Sequence, residues 1–167
     1  LAVIANKVQP ENLELVTTSL QKSLPSSVLV NSIPLISSLN NPTIHEIVEA
    51  LEAKILFGQE YLNNQIGNYS IGAMQLRNYL LHLKENALVI TPGDRADIIL
   101  GALQANESAN YPAISGIVLT GNIIPEDSIM KLIEGLSSIV PIITVDGGTY
   151  SIANKIGSIK SKIYPDN

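Results

Sequence analysis

Three uninterrupted apolar runs constrain this chain more than any other feature: ALVIT (87–91), SGIVLT (115–120) and PIITV (141–145). A strand with one wet face alternates apolar and polar residues, whereas a run that is apolar throughout is buried on both faces. Between and after the runs lie RADIILGALQAN (95–106), PEDSIMKLIEGL (125–136) and TYSIANKIGSI (149–159), each with apolar residues at helical spacing. Strict alternation of this kind predicts a three-layer α/β fold: a doubly wound, mostly parallel sheet with helices on both faces. Hydrophobic residues make up 46% of the chain and charged ones 15%, enough for a filled core. With one Phe and no Trp, that core has to be built from Ile, Leu, Val and Ala.

Upstream the signals are shorter. MQLRNYLLHL (74–83) predicts an amphipathic helix, and strands are expected around 69–71 and in KILFG (54–58). In PTIHEIVEALEA (42–53), Thr43 and Glu46 have capping-box spacing, and Ile44, Ile47, Val48 and Leu51 fall on one face. The preceding SSLNNPT (37–43) is polar and Asn-rich, and its core, 39–42, reads as a linker. LAVIA (1–5), PENLELVTTSLQKSL (10–24, Pro10 in a first turn) and SSVLVNSIP (26–34) read as buried strand, helix and buried strand. Two strands make a poor domain, so residues 1–38 are expected to be the tail of a larger α/β domain. A first residue of Leu rather than Met fits a piece excised from a longer chain.

Net charge is −5 and there is no basic patch, since NKIGSIKSK (154–162) is thinly spread; nucleic-acid binding is not expected. There is no Cys, hence no disulfide. No apolar run approaches the roughly 18 residues of a membrane-spanning helix, and a cytoplasmic location is expected. His45 and His82 lack partners at ligand spacing, no G-x-S-x-G is present, and Glu49/Glu52 and Glu126/Asp127 read as solvated helix faces. The expectation is therefore no catalytic residue, no metal and no cofactor.

The strand ends carry the candidate site. Ligands of open parallel sheets bind beyond the carboxyl ends of the strands. Three runs end in small polar residues that precede a helix: Thr91-Pro92-Gly93-Asp94-Arg95, Thr120-Gly121-Asn122 and Asp146-Gly147-Gly148-Thr149. On one reading Asp94 caps the helix that follows, Thr149 caps the last helix, and Arg95 is solvated. On the other, Arg95, the helix N-termini and the glycine turns form an anion pocket, with Asp146 on a ligand hydroxyl and Tyr150 over a ring. The ligand-binding candidates are Asp94, Arg95, Thr120, Gly121, Asn122, Asp146, Gly147, Gly148 and Thr149.

ALVITPGDRADIILGAL followed by GIVLTGN resembles the DRTGG domain, named for an Asp-Arg pair and a Thr-Gly-Gly. The pair is Asp94-Arg95 and the triplet Thr120-Gly121-Asn122, with Asn for the second Gly; Asn is the side chain that best tolerates positive φ. The resemblance covers roughly 42–160. It implies an α/β fold like the N-terminal domain of HPr kinase over 43–162, with 163–167 as a tail. The order of segments is similar to long bacterial phosphate acetyltransferases, in which a dethiobiotin-synthetase-like P-loop domain precedes the DRTGG domain and the catalytic domain follows. Residues 1–38 would then be the end of that first domain; no G-x-x-x-x-G-K-[ST] is present to cradle phosphate. The resemblance implies a non-catalytic regulatory and oligomerisation fragment of an acyltransferase that converts acetyl-CoA and phosphate to acetyl phosphate and CoA. Its expected partners are further copies of itself, the catalytic domain of the same parent chain and a small-molecule effector. The alternative is a structural dimerisation domain without a ligand; a stand-alone enzyme using Arg95 and Asp146 ranks below both.

Overall fold

A computed structural model describes residues 1–36, 41–136 and 140–159, so residues 39 and 40 of the 39–42 linker and the 163–167 tail lie outside the described residues. The chain divides into two units, Leu1–Asn40 and Asn41–Asn167.

In the first unit β1 (Ala2–Val8) pairs in parallel with β2 (Leu29–Pro34). A 3-10 turn, Pro10–Asn12, with proline at its start, leads into α1 (Leu13–Ser23), the crossover helix. The hydroxyls of Thr17 and Ser32 join helix to sheet at 2.7 Å. The two strands were expected to be buried, but only Val30 is; Ile4, Leu29 and Ile33 are 60%, 77% and 44% exposed. The reason is geometric: one helix covers one face, and two strands offer no flanking neighbours.

The second unit holds a five-stranded sheet of β3 (Lys54–Phe57), β4 (Asn68–Ile71), β5 (Ala87–Pro92), β6 (Ile114–Thr120) and β7 (Ile142–Thr144), in the order β3-β7-β6-β5-β4. β4 to β7 are parallel, and β3 runs antiparallel to β7. The helices are α2 (Ile44–Leu51), α3 (Leu76–Tyr79), α4 (Ala96–Glu107), α5 (Asp127–Glu134) and α6 (Thr149–Ser158). Alternate strand residues face opposite ways. Val89, Ile117, Leu119 and Ile142 pack with Tyr79 of α3, Ile98 to Leu103 of α4 and Ile133 of α5. Leu88, Ile90, Val118 and Ile143 pack with Ile44 and Ile47 of α2 and with Ile152 and Ile156 of α6. Each such side chain contributes about 1.5–3 kcal/mol on burial.

The three layers and the mostly parallel sheet match the sequence reading. The winding is simpler than doubly wound. β4 to β7 follow one another in space as in sequence, so their three crossover helices share one face, while α2 and α6 cover the other.

Thr43 and Glu46 form the capping box: the Glu46 N–H donates to Thr43 Oγ1 (3.3 Å) and the Thr43 N–H to Glu46 Oε2 (2.9 Å). The helix expected over 74–83 is α3 plus a 3-10 turn at Leu80–His82. Only residues 72–86 connect β4 to β5, which is near the minimum for a crossover and leaves no room for a long helix.

Candidate functional site at the carboxyl rim of the sheet

Because β5, β6 and β7 are parallel neighbours, their carboxyl tips share one edge of the sheet. Two of the tips are joined. The Gly121 N–H donates to the Gly147 carbonyl (2.9 Å), the Asn122 N–H to the Val145 carbonyl (2.9 Å), and the Thr120 and Thr149 hydroxyls pair at 2.8 Å. These bonds need left-handed backbone at Gly121 (φ 80), Asn122 (φ 52) and Gly147 (φ 116). Asn122 thus holds the turn its family pattern gives to glycine. Asp146 and Gly148 are exposed. Thr149 is the first residue of α6 and Gly148 its N-cap, so the Thr149 hydroxyl serves the inter-tip bond and not a cap.

The β5 tip works differently. A Cβ on Gly93 would lie 1.8 Å from the Ile123 carbonyl oxygen, so the tip and the loop after β6 are in backbone contact that only glycine allows. Between them lies a cavity of about 360 Å³, lined by Gly93, Asp94 and Ala96 on one side and by Ile123, Ile124, Pro125, Glu126 and Ile129 on the other. Its charged groups are the carboxylates of Asp94 and Glu126. Sequence reasoning missed this apolar wall; the signal was the pair Ile123-Ile124, too water-exposed in a loop to be core.

Arg95 does not line that cavity. Its Nε and Nη2 donate to the two Asp97 oxygens at 2.8 and 2.9 Å, and Nη1 and Nη2 donate to the carbonyls of Gly72 (3.2 Å) and Met74 (2.8 Å). The fork therefore ties α4 to the segment after β4. The hydrogen bond from Arg95 holds the Asp97 carboxyl below its usual range, and Asp97 in turn raises Arg95. An anion pocket built on Arg95 would have to break this pair. Nor does Asp94 cap α4: that helix starts at Ala96, with Arg95 at the N-cap and no side-chain cap bond. The backbone geometry at Arg95 (φ −88, ψ 63) delays the helix by one residue relative to the sequence expectation.

Tyr150 is 81% exposed, and His45 makes an i,i+4 contact with Glu49 at 3.4 Å. Among the described residues no three His, Asp or Glu converge as metal ligands, and no helix is long and apolar enough to cross a membrane. Among the described residues the buried Thr144 Oγ1 makes no hydrogen bond. Burial pushes the Tyr79 phenol up, against a smaller lowering by the Ser70 side chain.

A three-layer α/β module in which Arg95 braces the start of the helix after one strand tip, while a Thr-Gly-Asn turn is bonded to the next tip, defines a particular class of small α/β domain. The chain belongs to the DRTGG domain family, whose model matches residues 46–159. It is 38% identical to a phosphate acetyltransferase of Synechocystis sp. over 167 residues, 99% of this chain and 24% of that protein. It is 40% identical to a phosphate acetyltransferase of Nitratidesulfovibrio vulgaris over 146 residues, 87% of this chain and 20% of that protein. The chain thus spans a quarter or less of the length of these relatives. The crystal structure of the CBS and DRTGG domains of the regulatory region of Clostridium perfringens pyrophosphatase, complexed with the activator diadenosine tetraphosphate, superposes with a TM-score of 0.55. It is 21% identical and covers 71% of this chain and 46% of that one, and the likeness is one of fold.

Proposed function

We propose that this chain is a non-catalytic regulatory and assembly segment of a cytoplasmic phosphate acetyltransferase. The observation that carries the reading is alignment of nearly the whole chain with a small part of phosphate acetyltransferases, over a segment that includes a DRTGG domain. On this reading residues 1–38 are the end of a P-loop-like domain, 43–162 are the DRTGG domain, and acetyl transfer between CoA and phosphate belongs to another part of the parent chain. Arg95 supports a structural role for the Asp-Arg pair, because its donors already serve Asp97 and two carbonyls.

The effector seat is the rim beside Asp94, with the turns of Thr120, Gly121, Asn122, Asp146, Gly147, Gly148 and Thr149 as its frame. Two carboxylates over an apolar wall suit a ligand that brings hydroxyl or ammonium donors next to an apolar surface. The DRTGG-containing neighbour was crystallised with a dinucleotide activator, which makes nucleosides the first ligands to try. Calorimetric titration with adenosine, guanosine and cytidine, which bring ribose hydroxyls and a ring without phosphate charge, is expected to give heat with at least one, lost in Ile124→Asp. No heat with any of them would leave the ligand-free interaction domain as the reading. Formation of acetyl phosphate from acetyl-CoA and phosphate by the chain alone would overturn the non-catalytic assignment.

A further inference from the structure

The turn between β7 and α6 contains one peptide unit that no hydrogen bond holds. The Val145 carbonyl accepts from the Asn122 N–H and the Gly147 carbonyl from the Gly121 N–H, both at 2.9 Å. One residue further on, the Gly148 carbonyl accepts from the Ile152 N–H at 3.0 Å. Between these anchors, the Asp146 carbonyl and the Gly147 N–H make no hydrogen bond to any described residue. The Asp146 side chain is exposed. An aspartate in a turn commonly accepts from the N–H two residues on. This one has neither that bond nor an ion pair among the described residues, so its carboxyl group is able to rotate.

An aspartate followed by glycine carries an electrophile and a nucleophile in adjacent residues. Its Cγ can reach the next backbone nitrogen to close a five-membered ring, and the closure is hindered chiefly by the side chain of the following residue, which glycine lacks. Gly147 also occupies φ 116, backbone that other residues rarely adopt, and a Cβ on Gly148 would meet nothing within 4 Å. Water therefore has access to the turn. Of Asp94, Asp97, Asp127, Asp146 and Asp166, only Asp146 precedes a glycine, and no Asn in the chain does.

We propose that Asp146-Gly147 is a site of spontaneous isoaspartate formation in the folded protein. The Gly147 nitrogen attacks Asp146 Cγ in its carboxylic acid form. The new N–Cγ bond replaces the Cγ–OH bond, and the hydroxyl leaves with the nitrogen's proton as one water. Water then adds to either carbonyl of the succinimide. Cleavage of the N–Cγ bond restores aspartate. Cleavage of the bond from the nitrogen to the original main-chain carbonyl carbon leaves the chain running through Cγ, with a free α-carboxylate and no change in mass. The water lost is the water regained, and no other reactant is consumed. The main chain is then one methylene longer between Val145 and Gly147. The bonds from Asn122 and Gly121 are set to the shorter span, so the two cannot both be kept, and the β6 and β7 tips separate. The inference uses neither the effector nor the parent enzyme and stands if both readings fail.

Ageing the 167-residue chain in buffer at physiological temperature tests it. Isoaspartate is counted by enzymatic methyl transfer from labelled S-adenosylmethionine and located by electron-transfer fragmentation of its peptides. It is expected to accumulate at residue 146 and at no other Asp, at a rate within a factor of a few of that for the same chain unfolded in urea. Asp146→Glu, which would need a six-membered ring, is expected to abolish it. Gly148→Ala leaves the reacting atoms in place and is expected to retain it. In the aged chain the Gly121 and Asn122 amides are expected to exchange with solvent faster than in the fresh one. A native rate an order of magnitude or more below the urea rate would show that the fold protects the turn and would overturn the proposal. Comparable isoaspartate at another residue, a signal that survives Asp146→Glu, or unchanged exchange at Gly121 and Asn122 once residue 146 has isomerised would also overturn it.

Discussion

The tip of β5 and the joined tips of β6 and β7 sit on the same rim, carry the same kinds of residue, and are held by different physics. The β6 and β7 tips are tied by hydrogen bonds through backbone that only small residues adopt easily. The β5 tip is held by close packing of Gly93 on the Ile123 backbone and by the Arg95–Asp97 pair. A glycine can thus mark a rim for two reasons: room for another backbone, or access to a left-handed turn.

Substitutions separate those reasons. Gly93→Ala is expected to have the largest effect, about 3 kcal/mol or more of lost stability in chemical denaturation, because carbonyl backbone must move. Gly148→Ala, with φ −73 and nothing within 4 Å of the added Cβ, is expected to stay close to wild type. A large loss there would break the distinction. Next comes Gly147→Ala, at about 1–3 kcal/mol for forcing a side chain to φ 116.

Thr120→Val and Thr144→Val form a matched pair from the ends of β6 and β7. The first leaves the Thr149 hydroxyl without its bond and is expected to cost about 1 kcal/mol in thermal unfolding. The second removes a buried hydroxyl that has no partner and is expected to be neutral or stabilising by up to about 1 kcal/mol.

Asp97→Asn gives the smallest change, a few tenths of a kcal/mol, because the pair is partly solvated, with side chains 29% and 46% exposed. Its signature is the pH dependence. The Asp97 pKa is lowered in the fold, so its contribution is present above the unfolded value of about 3.9 and is lost as pH falls through the folded one. The acid limb of the stability curve is expected to flatten in the variant, and an unchanged limb would remove the pair from the account of the β5 tip.

The core was legible in the sequence because it is made of uninterrupted runs: ALVIT and SGIVLT are β5 and β6 to within a residue or two. The Thr43–Glu46 capping box was legible for the same local reason. What depends on distant partners was not. The antiparallel sense of β3 is set by β7, far along the chain, and four residues carry no mark of direction. The Asp-Arg pair reads as a cap beside a solvated arginine or as an anion site; that Arg95 is a brace depends on where the carbonyls of Gly72 and Met74 lie. The left-handed Asn122 turn could be anticipated from residue type alone, but its bond to Val145 could not.

The match between strand order and chain order in β4 to β7 has a kinetic consequence. Each of these strands pairs with its immediate successor, so the four can zip together through short loop closures. β3 must wait, because its ladder partner Ile142 is made last in the sheet. During synthesis the N-terminal edge strand of this sheet therefore stays unpaired until the C-terminal strand emerges, and the β3–β7 ladder is the pairing that completes the sheet.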